Sequence, residues 1–124
     1  GIEIRLHPYS GPPLTVIIRN NVITGCKEDG IQLIDYPDVS HRIFFIERNL
    51  IVGSAMAGIG CMSDGNTNEN YEAASIPERA YIVNNTIVDN EYGLTGGDNF
   101  LVQNNIFLRT KKTALKNGRS TMCE

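Results

Sequence analysis

The residues best able to do chemistry fall in three polar stretches, Leu6 to Pro13, Asp35 to Arg42 and Ser63 to Glu78. Asp35, Asp38, Asp64, Glu69 and Glu72 supply carboxylates. Two carboxylates held at the right gap suit glycoside hydrolysis, in which one acts as acid and the other as base or nucleophile. His41 or Tyr36 could serve as a base. Arg42 or Arg5 could neutralise the carboxylate of an acidic sugar, as lyase chemistry needs. Tyr9, Tyr36 and Tyr71 offer rings on which sugars stack. The candidate catalytic residues are therefore Asp35, Asp38, His41 and Arg42. Solvation alone explains most acidic loop residues, and a lone loop histidine usually has no special role. His7, which precedes Pro8, has no partner that the sequence reveals.

A second motif lies inside the longest stretch. Asp64-Gly65-Asn66-Thr67-Asn68-Glu69 places oxygen ligands at its first, third, fifth and sixth positions, in part like a calcium loop. Asp64, Asn66, Asn68 and Glu69 are thus candidate ligands, and calcium is the only cofactor the sequence suggests. The usual glycine at the sixth position is missing, and the twelfth is Ser75 rather than Glu. An Asn-rich surface loop gives the same pattern. Cys26, Cys61 and Cys123 have no zinc-type spacing.

The elements that must carry these residues announce themselves as a repeat. Val16 to Ile23, Phe44 to Ile51, Ala80 to Ile87 and Phe100 to Phe107 share an apolar frame around an asparagine pair, with Arg48-Asn49 in the second copy. A Gly-aliphatic step follows each: Gly30-Ile31, Gly58-Ile59, Gly93-Leu94 and the degenerate Ala114-Leu115. Gly1-Ile2 reads as the same step of an earlier copy. A period of roughly 20 residues built from short strands is a solenoid signature. Ala80 and Ile82 alternate with Tyr81 and Val83, as a strand requires. Asn84-Asn85 then turns a sharp corner, because asparagine tolerates left-handed backbone angles.

Stacked copies would align Asn21, Asn49, Asn85 and Asn105 in an amide ladder. Three inward rows would close a triangular core: Ile18, Ile46, Ile82 and Val102; Ile23, Ile51, Ile87 and Phe107; Ile2, Ile31, Ile59 and Leu94. Cys61 should join the core. The glycines should relieve crowding where the chain enters each third strand. The polar stretches would then collect on one edge, beside the outward residues Glu3, Arg5, Gln32, Gly60 and Thr95. Insertions gathered on one edge of a solenoid often build its binding face. Glu3, Arg5, Gln32, Tyr36, Tyr71 and Thr95 are accordingly the candidate substrate-binding residues. On another face, Ile17, Phe45, Tyr81 and Leu101 would form an outward apolar row, with Val22, Leu50 and Ile106 beside it. Such a row suits a partner surface, although β-forming residues on a sheet exterior also produce one.

Asn84-Asn85-Thr86-Ile87-Val88-Asp89-Asn90-Glu91-Tyr92-Gly93-Leu94 resembles the repeat of right-handed parallel β-helix proteins of the pectate-lyase-like superfamily. The resemblance spans Gly1 to about Leu115. It implies an all-β right-handed parallel β-helix of about four coils and a carbohydrate-associated role. If the chain is an enzyme, the resemblance implies a polysaccharide lyase or glycoside hydrolase. It does not extend to catalytic motifs: the polygalacturonase-type Asn-Thr-Asp, Asp-Asp, Gly-His-Gly and Arg-Ile-Lys are missing, and Arg42-Ile43 lacks the lysine. The superfamily also includes adhesins, so fold alone leaves activity open. The alternative is a non-catalytic structural, adhesion or protein-interaction module.

At 124 residues the chain is expected to be a single domain, 1–124, and a fragment or module of a longer β-helix, since it begins in mid-repeat. A secreted or cell-surface location fits a polysaccharide partner, although no signal peptide is visible. A formal charge of −3 without a basic cluster argues against nucleic acid. No apolar run approaches a membrane span. Open coil ends and the apolar row Ile17, Phe45, Tyr81 and Leu101 suggest self-association.

Overall fold

A computed structural model describes residues 1–36, 40–71, 74–119 and 121–124. Its strands form three sheets in which every pairing is parallel, and the described residues contain no helix. The first sheet runs β1 (Ile2–Arg5), β4 (Ile31–Ile34), β7 (Ala57–Met62), β10 (Tyr92–Thr95), β13 (Leu115–Lys116). The second runs β2 (Leu14–Arg19), β5 (Arg42–Glu47), β8 (Arg79–Val83), β11 (Phe100–Gln103), β14 (Met122–Cys123). The third runs β3 (Val22–Thr24), β6 (Leu50–Val52), β9 (Thr86–Val88), β12 (Ile106–Leu108). Each strand pairs with the one three places on, so the chain visits the sheets in rotation. The arrangement is compatible with a parallel β-helix or solenoid. Among the described residues, no helix is long and apolar enough to cross a membrane.

The inward rows are those the repeat predicts. Ile18, Ile46, Ile82 and Val102 lie in register and are buried. So are Ile23, Ile51 and Ile87, with Phe107 half-buried at the end of that row. Ile31, Ile59 and Leu94 fill the third row beside a half-buried Ile2. Cys61 is fully buried, and all three cysteines are free thiols. Each fully buried aliphatic side chain contributes roughly 1.5–3 kcal/mol relative to exposure.

The asparagine corner divides its labour between two positions. The first residue of each pair takes the left-handed conformation: Asn20 at φ 58°, Arg48 at 51°, Asn84 at 58° and Asn104 at 54°. The second forms the ladder. Asn21 Nδ2 donates to Asn49 Oδ1 at 2.9 Å, Asn49 Nδ2 to Asn85 Oδ1 at 3.0 Å, and Asn85 Nδ2 to Asn105 Oδ1 at 2.9 Å. Each ladder oxygen also accepts the backbone N–H of the preceding rung. Arginine can therefore stand at the first position, as Arg48 does, while the ladder position holds asparagine in all four copies.

The Gly-aliphatic step is a matter of space. A Cβ on Gly58 would stand 2.5 Å from Ile87 Cγ2, and one on Gly93 2.3 Å from the Ala114 carbonyl oxygen. Here the first sheet begins hard against the third, and no side chain fits.

The outward apolar row is also in register, Ile17 with Phe45, Tyr81 and Leu101, and it continues to Met122. The rings of Phe45 and Tyr81 stack 4.9 Å apart at 11°. Ile17 is 53% exposed, and Val22, Leu50 and Ile106 on the third sheet are exposed as well.

Candidate functional site

On the outer face of the first sheet, Glu3, Gln32 and Gly60 lie level, and the pairing of Leu94 with Ile59 sets Thr95 beside Gly60; Lys116 pairs with Thr95. The face was expected to be open in this row, and over its middle it is not. The segment after β7 returns across it, so that Gln32 is only 6% exposed and Thr95 is fully buried. Farther along, Ala74 and Ile76 belong to the core, and their carbonyls accept the backbone N–H groups of Gly97 and Asp98.

Beneath this covering segment two carboxyl groups meet. Asp29 comes from the turn before β4 and Glu69 from the covering segment, and both are buried. They converge over Gly60, whose missing side chain makes the room. A Cβ there would lie 2.0 Å from Asp29 Oδ2 and 2.3 Å from Glu69 Oε2. Ala57 N–H donates to Asp29 Oδ1 at 2.8 Å, and Gln32 Nε2 to Asp29 Oδ2 at 3.3 Å. Tyr71 N–H donates to Glu69 Oε1 at 2.6 Å, and Thr95 Oγ1 to Glu69 Oε2 at 3.3 Å. Burial first, and then the hydrogen bond and charge of Glu69, push the Asp29 carboxyl up to about 9. Groups in contact leave no space for the sugar and water that glycosidase carboxylates flank, normally some ~5–9.5 Å apart.

Beside the pair, Tyr71 is held rather than presented. Its ring lies 4.6 Å from that of Tyr92, its hydroxyl donates to Glu91, and its carbonyl accepts Asn117 Nδ2 at 2.7 Å. Burial and the bond to Glu91 hold the Tyr71 phenol above its ordinary range. Lys116 Nζ sits 5.1 Å over the Tyr71 ring, 4.6 Å over that of Tyr92, and 3.2 Å from the Tyr92 hydroxyl. Lys112, with Tyr71 second, keeps the Glu91 carboxyl below its usual range.

The accessible part of the face lies at the β1–β4 end. Exposed Arg5 donates Nε to Glu3 Oε1 at 2.7 Å. The His7 and Tyr36 rings lie 4.3 Å apart, so His7 does have a partner. The Arg42 guanidinium is 5.6 Å over the Tyr9 ring and donates Nη1 to the His7 carbonyl at 2.9 Å. His41 Nδ1 lies 3.5 Å from the carbonyl oxygen of Gly11, the residue against which Tyr9 packs.

Asp35 borders the same patch. Burial first, then the charge of Glu78, raises its carboxyl to about 6. Asp35 Oδ1 and Glu78 Oε2 are buried oxygens without hydrogen-bond partners, while Glu78 Oε1 accepts the N–H and hydroxyl of Ser40. Asp38 lies outside the described residues.

Of the expected calcium-loop residues, Glu69 and Asn66 have hydrogen-bond partners within the protein. Glu69 spends its oxygens on Tyr71, Thr95 and Asp29. Asn66 Oδ1 accepts Asn68 N–H at 3.2 Å, an asparagine turn. Among the described residues, no three His, Cys, Asp or Glu side chains converge as a metal site.

Sequence reasoning missed Asp29, Glu78, Glu91, Tyr92 and Lys116. The only hint for Asp29 was Gly60, the one row position with no side chain. Comparison with protein-family models, with curated proteins and with solved structures finds no match to this chain.

Proposed function

We propose that the chain is a carbohydrate-associated module that binds an extracellular polysaccharide along the open end of the first sheet. On this reading the three parallel sheets are a right-handed β-helix of about four coils, of the pectate-lyase-like kind its repeat resembles. The observation that carries the proposal is the accessible cluster of Arg5, His7, Tyr9, Tyr36 and Arg42. It combines flat rings for stacking on sugars with guanidinium groups for sugar carboxylates. Asp35, raised toward neutrality beside this cluster, has the acidity expected of a general acid or base, which supports lyase or hydrolase chemistry. Binding to a panel of polyuronates and neutral glycans, measured by calorimetry, tests it. We expect an acidic glycan to bind, Tyr36→Ala and Arg42→Ala each to weaken binding about tenfold, and Ile17→Ser to leave it unchanged. No binding to any member of the panel would sink the reading.

A second reading has its own support. The in-register row Ile17, Phe45, Tyr81 and Leu101 would serve a non-catalytic adhesion or structural module, with a second copy of the chain as the simplest partner.

A further inference from the structure

The stack of strands ends in open edges on both sides. Among the described residues β1 and β2 pair along one edge only, with β4 and β5, and β13 and β14 pair along one edge only, with β10 and β11. Rows that are buried in the middle of the stack surface here. Ile2 is half-buried and Leu115 is 36% exposed. Cys123 is exposed although it continues the inward row of Ile18, Ile46, Ile82 and Val102. A hollow of about 200 Å³ opens beside Leu94, Leu115 and Cys123 at one end, and one of about 250 Å³ beside Gly1, Ile2 and Glu3 at the other. A solenoid coil buries its faces only against its neighbours, so each end leaves edge and apolar surface to be covered.

The register of the sheets fixes what the next coil would meet. In the first sheet Ile2, Ile31, Ile59, Leu94 and Leu115 form one inward row, and Glu3, Gln32, Gly60, Thr95 and Lys116 form the outward row beside it. A second copy that lays its own β1 on β13 in this register sets its Ile2 on Leu115 and its Glu3 on Lys116. In the second sheet the row of Ile17 ends at Met122 and the row of Ile18 at Cys123. The next outward row starts at Arg19 and runs through Gln103, whose Nε2 donates to Glu124 Oε2 at 2.9 Å. The same copy therefore sets its Ile17 on Met122, its Ile18 on Cys123 and its Arg19 on Glu124. Apolar groups meet apolar groups or a thiol, and each charge meets its opposite.

We propose that copies of this chain stack end to end, β13 and β14 of one receiving β1 and β2 of the next in the register of the existing coils, with Lys116 against Glu3 and Glu124 against Arg19 selecting the joint. The proposal is independent of the glycan reading and of the outer apolar row.

Charge favours this occupant at longer range too. From Arg109 onward the chain carries Arg109, Lys111, Lys112, Lys116 and Arg119 against Glu124, although its formal charge is −3. The end that presents β13 and β14 is positive and the remainder negative, so copies in line attract and copies joined by their positive ends repel. Glu3, Arg19 and Glu124 are exposed and Lys116 is half-buried, so all four are within reach of a neighbour. Among the described residues the third sheet has four strands where the others have five. Two sheets thus make the joint, and a gap one strand wide remains between β12 and β3 of the next copy. Because the joined surfaces differ, each addition leaves the same two ends free, and growth does not close at a dimer. A two-fold contact through Ile17 and Phe45 would close there.

Sedimentation velocity over a range of micromolar concentrations tests the proposal. The mean mass of the wild type should climb with concentration past the dimer without a plateau, and it should fall as salt is raised. Glu3→Lys and Lys116→Glu should each weaken association about tenfold. An equal mixture of those two variants should associate as the wild type does, because the reversed ends complement each other. Arg19→Glu and Glu124→Arg should behave in the same way, and they decide if Lys116→Glu disturbs the last coil. The proposal is overturned by a wild type that stays monomeric or stops at a dimer, by charge reversals without effect, or by mixtures no heavier than their separate components.

Discussion

Asn85, like Asn49, makes four side-chain hydrogen bonds in the buried middle of the ladder. Its Oδ1 accepts both the backbone N–H and the side-chain amide of Asn49, each at 3.0 Å, and its Nδ2 donates to Asn105 Oδ1 at 2.9 Å and the Ile46 carbonyl at 2.8 Å. It is 1% exposed, so no water replaces what is removed. Asn85→Ala strands two buried donors and a buried carbonyl, and each such group costs about 1–3 kcal/mol. We expect a loss of about 3 kcal/mol or more in urea unfolding. Asn21→Ala, at the partly exposed end of the ladder, should cost about 1 kcal/mol. Equal losses at the two positions would mean that the ladder does not act through buried hydrogen bonds. Single residues also mark where sequence reading stopped. Glu69 was legible as a loop carboxylate and a possible cation ligand. That it closes on Asp29, 40 positions earlier, follows from the path of a non-repeating segment, and no periodicity encodes such a path.

At the scale of elements, what repeats was legible and what is inserted was not. The rows of Ile18, Ile23 and Ile31 and their successors follow from the strand period of two and the spacing of the asparagine corner. The structure returns them in register. The residues from Ser63 to Tyr71 do not follow the repeat's pattern, so the seating of Glu69 beside Thr95 and over Gly60 had no template. The outer apolar row is legible for the same reason as the core, since it is the other half of the same alternation. Its stacked Phe45 and Tyr81, with exposed Ile17, are the basis for expecting lateral self-association. Phe45→Ser with Tyr81→Ser should raise the monomer fraction in sedimentation equilibrium at high micromolar protein, each half-buried ring adding about 1–2 kcal/mol at ~25 cal/mol per Å² before association costs. A wild-type protein that stays monomeric under the same conditions removes the self-association reading.

For the molecule as a whole, the strand order has a kinetic consequence. Among the described residues no strand pairs with its sequence neighbour, so none of these strands zips up as a hairpin, and each pairing waits for the chain to travel through all three sheets. The ladder steps span 28, 36 and 20 residues. Loop-closure entropy rises with the logarithm of length, so the shortest step is favoured over the longest by roughly 0.5 kcal/mol. The pairing of β8 and β9 with β11 and β12 is therefore the expected nucleus, with growth proceeding from it toward β2 and β3. Contacts this distant also place the protein among slow folders. In stopped-flow experiments, Ile82→Val and Ile87→Val should slow refolding, whereas Ile18→Val and Ile23→Val should chiefly speed unfolding. The reverse pattern would put the nucleus at the other end of the stack.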